Sequence, residues 1–160
     1  MAHILVVCTA NICRSPVAEA LLRQRLHEHG LESWTVSSSG TWAQVKRKAA
    51  HYSIKLMAEH GYDLKQHRAS MIEEDDLQTA DLILCMESGH VEALKAEFPS
   101  YADRIYLISE MVGKHYNIQD PYRKSKETYQ QMIAELTDII ESGLDRIIAL
   151  AEENAVKNRS

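Results

Sequence analysis

The sequence predicts an α/β fold, a four-stranded parallel sheet flanked by helices on both faces. Three observations carry this expectation. Short, uninterrupted apolar runs such as Ile4-Leu5-Val6-Val7 and Leu82-Ile83-Leu84-Cys85-Met86 mark strands buried on both faces. Helical stripes alternate with these runs along the chain, the order expected of strand–helix–strand units. No linker, repeat or low-complexity tract divides the 160 residues, a length that suits one domain with its own core.

The first strand is Ile4 to Val7. Pro16 suits the first turn of a helix, and Val17, Ala18, Leu21, Leu22 and Leu26 form its apolar stripe, stopped near Gly30. Trp34 to Ser38 reads as the second strand. Ala50, Ile54, Met57 and Ala58 mark a second helix, capped by Gly61. Asp81 to Met86 is the third strand, and a helix follows from about Gly89 to Glu97. Arg104 to Ile108 is the fourth strand. A long terminal helix carries Tyr129, Met132, Ile133, Leu136, Ile140, Leu144, Ile147 and Ile148. The domain is set at residues 1–152, with 153–160 as a fraying polar tail.

Composition excludes several classes of function. A net charge of −5 gives no general electrostatic case for nucleic acid or an anionic membrane. The one basic cluster, Lys46-Arg47-Lys48, reads as a solvated helix start. The apolar run at the N-terminus is too short for a signal peptide or a membrane span, and three cysteines do not form a disulfide framework. A reducing cytoplasm is the expected setting. The eight histidines show no metal pair: His27 and His29 diverge on their helix, and His60 and His67 lie in different elements. Neither metal nor cofactor is expected.

Chemistry concentrates after the first strand, in Cys8-Thr9-Ala10-Asn11-Ile12-Cys13-Arg14-Ser15-Pro16. Ligands in parallel α/β folds bind beyond the carboxyl ends of the strands, which is where this segment falls. Five residues between a cysteine and an arginine can curl so that the N–H groups of Thr9 to Ser15 converge on a tetrahedral anion. The following helix adds its positive end. Arg14 supplies a planar fork for two phosphate oxygens, and the positive surroundings suit a thiolate nucleophile at Cys8. Ser15 can donate a hydrogen bond to that sulfur.

A bare Cys-x5-Arg pattern is common, but its place between a buried strand and a Pro-started helix makes it specific. Val7 to Pro16 resembles the signature loop of low-molecular-weight protein-tyrosine phosphatases. Further blocks recur in the family's order. Ser38-Ser39-Gly40-Thr41-Trp42 looks like its Ser-Ala-Gly-Thr segment, and Gly61-Tyr62-Asp63-Leu64 with His67-Arg68-Ala69 resembles its Gly-x-Asp-x…His-x-x-Arg region. Ser70 stands where the second arginine usually falls. Asp81 to Glu87 resembles the family's third strand, and Asp120-Pro121-Tyr122 its general-acid loop.

The resemblance implies a flavodoxin-like phosphatase fold and hydrolysis of phosphotyrosine through a cysteinyl-phosphate, releasing inorganic phosphate. Cys8 would be nucleophile, Arg14 phosphate clamp and Asp120 general acid. Asn11, Ser15, Ser38 and His67 would support the loop. Trp42, Tyr122 and Ile12 are candidate walls for a phenyl ring, although Trp42 reads equally well as an exposed loop aromatic. Cys13 would form a protective disulfide with Cys8, while Cys85 reads as an inert core residue. Two departures bear on substrate more than on activity. Ala10 replaces a usual glycine, which is tolerated at negative φ, and Gln44 to Lys48 lacks the usual Gly-x-Pro.

Three other readings compete. An arsenate reductase on this fold needs a further pair of cysteines after the third strand, and only Cys85 lies near that place. A non-catalytic phosphoprotein-binding module has no need of Cys8 and Asp120 together. A phosphoarginine phosphatase stays open; such family members tend to carry threonine where this chain has Ile12. The expected partners are tyrosine-phosphorylated proteins, with no nucleic acid and no membrane, and the chain is expected to be a monomer or weak homodimer.

Overall fold

The structure is a computed structural model, and it describes residues 1–159. Four strands form one parallel sheet: β1 (His3–Cys8), β2 (Thr35–Gly40), β3 (Leu82–Cys85) and β4 (Ile105–Leu107), in the order β2-β1-β3-β4. Period-two alternation divides β1 between two cores. Ile4, Val6 and Cys8 face the side covered by α1 (Arg14–Glu28), α2 (His51–Glu59) and the terminal helix. Leu5 and Val7 face the side covered by α3 (Glu74–Thr79) and α4 (Ser88–Glu97). With both faces covered, β1 and β3 contain no polar side chain beyond His3 at the edge.

The glycine stops lie where the sequence puts them. Gly30 and Gly61 adopt φ of 81° and 88°, and the following residues return N–H groups to Leu26 and Met57. The short α3 has no counterpart in the sequence reading, because its one buried side chain, Leu77, leaves no periodic signal. Lys46-Arg47-Lys48 is not a helix start. It lies in the loop ahead of α2, with Lys46 at φ 71° and Lys48 bridged to Arg68.

The fraying tail expected at 153–160 is also corrected. Helix α5 runs over Lys126–Asn158 without a break; Ser160 lies outside the described residues. Two asparagines anchor its last turns. Asn154 donates to the Asp81 carbonyl (2.9 Å) and Asn158 to the Asp81 carboxylate (2.8 Å), while Ala155 is buried. Polar composition predicts fraying only when the polar groups have no partner, and here the start of β3 supplies one.

β1 and β3 are neighbours although their sequence order is interrupted by β2, and the chain leaves β1 toward one side and β3 toward the other. The crevice at their carboxyl ends is the switch point of the sheet. It is bounded by Cys8, the segment after Cys85 and the loop before α5.

Candidate active site

The Cys8–Arg14 loop closes over the carboxyl end of β1. Its turn depends on Asn11, which sits at φ 58°, a left-handed conformation that asparagine tolerates. Ala10 is not among the positive-φ residues, so the usual glycine is not needed there. The loop also needs Gly40 beside it. A Cβ on Gly40 would meet the Thr9 carbonyl oxygen at 2.4 Å and the Asn11 nitrogen at 3.1 Å, which allows only hydrogen at that position.

Asn11 is the hub of a buried network whose proton directions follow one another. Its Oδ1 accepts the Ser70 N–H (2.9 Å), so its Nδ2 donates to both Ser15 Oγ (2.7 Å) and Ser38 Oγ (3.0 Å). Each hydroxyl is then free to donate onward. Ser38 donates to Glu19 (2.6 Å), and Ser15 Oγ lies 3.0 Å from Cys8 Sγ, where its hydroxyl is free to donate to an ionised sulfur. The Asn11 N–H also reaches Cys8 Sγ at 3.3 Å. His67 Nε2 donates to the Asn11 carbonyl (2.7 Å), which fixes its tautomer and braces the turn. A sulfur that receives two donors is held as an acceptor, the arrangement a thiolate requires.

Arg14 is 1% exposed. Its Nη1 donates to Glu87 (2.6 Å) and to the Ile118 carbonyl (2.8 Å), and its Nη2 lies 3.4 Å from Thr9 Oγ1 and 3.7 Å from the Asp120 carboxylate. Its Nε is buried without a partner. A buried, charged donor left without a partner is costly unless an anion satisfies it. Asp120 is half-exposed, with Oδ1 held by the Tyr122 N–H (3.1 Å) and Oδ2 toward Arg14. One pocket is lined by Cys8, Ala10, Ile12, Cys13, Arg14, Asp120 and Tyr122. A larger cleft of about 500 Å³ between α1, α2 and α5 contains no cysteine and lies away from the loop.

The structure therefore brings together the residues from Cys8 to Ser15 with Ser38, His67, Asp120 and Tyr122. Trp42 stands apart at 75% exposed and does not line the pocket. Cys13 is buried, its Sγ 3.5 Å from Tyr129 Oη, and burial pushes its thiol up to about 11. Burial likewise pushes Cys85 far up, as suits a core thiol. No three His, Cys, Asp or Glu side chains converge as a metal site among the described residues.

Four residues escape the sequence reading: Glu19, Ser70, Glu87 and His90. Glu87 and His90 carry a legible signal in their three-residue spacing at a helix start. His90 Nδ1 accepts the Glu87 N–H (3.2 Å), so its Nε2 proton is donated to Thr9 Oγ1 (2.9 Å). Burial, and then the Arg14 charge, hold His90 below its ordinary 6.5. The unfolded chain thus takes up a proton below pH 6.5 that the folded one resists, and the stability His90 contributes is lost as pH falls from there. His3, also lowered chiefly by burial, acts in the same sense. The loss of Tm below pH 6.5, followed by calorimetry, should be shallower in His90→Gln than in the parent; equal slopes would exclude His90 as a source.

Comparison with known proteins agrees with this geometry. The family model for low molecular weight phosphotyrosine protein phosphatase matches residues 3–157. The chain belongs to this family. It is a cysteine-based, metal-independent phosphatase with the family's parallel α/β fold. A probable low molecular weight protein-tyrosine-phosphatase, EpsP, of Ralstonia solanacearum is 36% identical over 147 residues, covering 92% of this chain and 97% of that one. A protein-arginine-phosphatase of Bacillus subtilis is 33% identical over 138 residues, covering 86% and 91%. The crystal structure of a low molecular weight protein tyrosine phosphatase from T. tengcongensis superposes with a TM-score of 0.86 at 35% identity, covering 91% of this chain and 99% of that one. Family membership does not itself choose between the substrates named for these relatives.

Proposed function

We propose that this phosphatase acts on protein phosphotyrosine, with Cys8 as nucleophile, Arg14 as clamp and Asp120 as proton donor and acceptor. One observation carries the reading: buried Arg14 is held by Glu87 and the Ile118 carbonyl, with its Nε open, beside a cysteine whose sulfur receives two hydrogen bonds. The phosphoryl oxygens bind the loop N–H groups and the Arg14 fork. Cys8 thiolate attacks phosphorus in line with the phenolic oxygen. The S–P bond forms as the P–O bond breaks, and the Asp120 carboxyl gives its proton to the departing oxygen. Water then attacks the cysteinyl-phosphate, losing a proton to the Asp120 carboxylate. Inorganic phosphate leaves, and the sulfur returns to the hydrogen bonds of Ser15 and Asn11.

The choice of phosphotyrosine rests on the pocket walls. Ile12 and Tyr122 line the pocket at Cys8, an apolar and an aromatic side chain that suit a flat ring. Initial rates on phosphotyrosine and phosphoarginine peptides, compared side by side in excess chelator, test the reading. A strong preference for phosphoarginine would keep the mechanism and overturn the substrate. We further infer a monomer or weak homodimer in a reducing cytoplasm, the setting in which a nucleophilic thiol at Cys8 stays reactive.

Two predictions follow from the roles assigned. Asp120→Asn, which keeps the Tyr122 contact but has no acidic proton, should lower kcat by roughly 10²–10⁴-fold on phosphotyrosine. The loss should shrink on aryl phosphates whose leaving groups need no proton, and a uniform loss would remove Asp120 as the acid. Cys13, within the same loop, is the proposed resolving thiol. Peroxide converts the Cys8 thiolate to a sulfenic acid, and Cys13 thiolate displaces hydroxide from it to give the disulfide. With its thiol pushed up to about 11, Cys13 should close the disulfide faster as pH rises toward that value. Mass spectrometry that finds sulfinic acid at Cys8 at every pH would exclude the protective role.

A further inference from the structure

A second cleft, of about 390 Å³, opens beside the catalytic pocket and shares Ile12 and Tyr122 with it. Its other charged or titratable walls are Arg47, Lys48, His51 and Arg123, all exposed, and the buried Tyr129; no carboxylate lines it. In a chain of net charge −5 this is a local concentration of positive charge. Two guanidiniums share one phenol. Arg47 donates to Tyr122 Oη (3.0 Å) and lies 5.4 Å from the ring centre, and Arg123 lies 5.3 Å from the same centre.

Arg47, Lys48 and Arg123 form no ion pair among the described residues, as is true of most exposed cations of this chain, but here three of them meet at one cleft that no carboxylate lines. Like charges gathered around one ring without a counter-charge favour an anion brought by something else. The phenol of Tyr122 is held below its ordinary acidity range by the Arg47 hydrogen bond and by Arg123, which accords with a strongly positive site.

We propose that this cleft receives a second anionic side chain of the phosphorylated peptide, so that the enzyme selects phosphotyrosine with a carboxylate or a second phosphate close by in sequence. The inference rests on the phosphotyrosine reading above. The occupant follows from adjacency: the two pockets share Ile12 and Tyr122, so a residue close in sequence to a phosphotyrosine seated over Cys8 lies within reach of the cleft. Charge then determines which neighbouring residue is favoured there.

The test uses three matched peptides in which the phosphotyrosine is flanked by alanines, by aspartates or by a second phosphotyrosine, together with a simple aryl phosphate. The variant is Lys48→Gln combined with Arg123→Asn. Asparagine tolerates the φ of 61° at position 123, and Arg47 is left in place because it supports Tyr122. The parent should favour the anionic flanks over alanine by about tenfold in kcat/KM, the sum of a few exposed charge pairs, and should lose the preference in high salt. In the double variant the preference should fall to about twofold or less, with the aryl phosphate and alanine-flanked rates changed only by one common factor, since Arg123 also lies over the Tyr122 ring. Preference for the second phosphate alone would support the cleft and narrow its ligand. Equal rates on all three peptides in the parent, or a preference that survives the double substitution, would overturn it. No turnover of phosphotyrosine in any form would instead sink the underlying reading, and the cleft with it.

Discussion

Cys8→Ser should lower kcat on phosphotyrosine by about 10⁴-fold or more while leaving phosphate binding measurable. The two functions separate because they rest on different atoms. Binding relies on the loop N–H groups and on Arg14, whose Nη1 is held independently of position 8 by Glu87 and the Ile118 carbonyl. Attack relies on an ionised sulfur, and a serine hydroxyl stays protonated at neutral pH without a general base. The hydrogen-bond network makes this sharper. Ser15 donates toward position 8, and so does the Asn11 N–H, so neither can remove a proton from a hydroxyl placed there. A loss of 10⁴ corresponds to about 5 kcal/mol of transition-state stabilisation. Initial rates and phosphate titration by calorimetry read the two quantities separately. Turnover near that of the parent would remove Cys8 as nucleophile.

Arg14→Lys should cost about 10³-fold in kcat, with a rise in KM, although the charge is kept. Arginine serves here through geometry. One nitrogen faces Glu87 and Ile118, another lies near Thr9 and Asp120, and Nε is open toward the loop. An ammonium supplies one point of charge and cannot hold the wall and two phosphate oxygens together. The effect of a charged clamp on transferring phosphoryl groups is commonly on the order of 10³–10⁵-fold. A lysine ammonium can keep one charged contact to Glu87, which is itself partly exposed and can be hydrated, so the loss should appear in activity far more than in stability. A lysine variant with parental kcat would mean that charge alone suffices; a large collapse of Tm would mean that the arginine is chiefly structural.

Much of this protein was legible locally. The apolar runs of β1 and β3, the stripe of α1 and the glycine stops at Gly30 and Gly61 are one-dimensional signals, because burial on both faces or on one helical stripe leaves a direct trace in residue order. The Cys8–Arg14 loop was legible for the same reason: its chemistry requires residues close together in the chain. The polar end of α5 was misread because Asn154 and Asn158 find partners at Asp81, more than 70 positions away. The basic triplet before α2 was misread as well, since nothing in its composition says that it faces Tyr122.

The sequence alone determined the parallel α/β architecture and the strand–loop–helix segment that joins Cys8 to Arg14, since each depends on residue type at short spacing. Only the tertiary structure decided how the loop is held. Asn11 is satisfied from Ser15, Ser38, His67 and Ser70, and Arg14 is aimed by Glu87 and the Ile118 carbonyl. Those partners come from different elements, and hydrogen bonds, unlike hydrophobic stripes, impose no periodicity on the chain that makes them. The tertiary structure also decided that Arg47, Lys48 and Arg123 meet around one tyrosine, because two loops far apart in sequence converge there only when the sheet brings its carboxyl edge together.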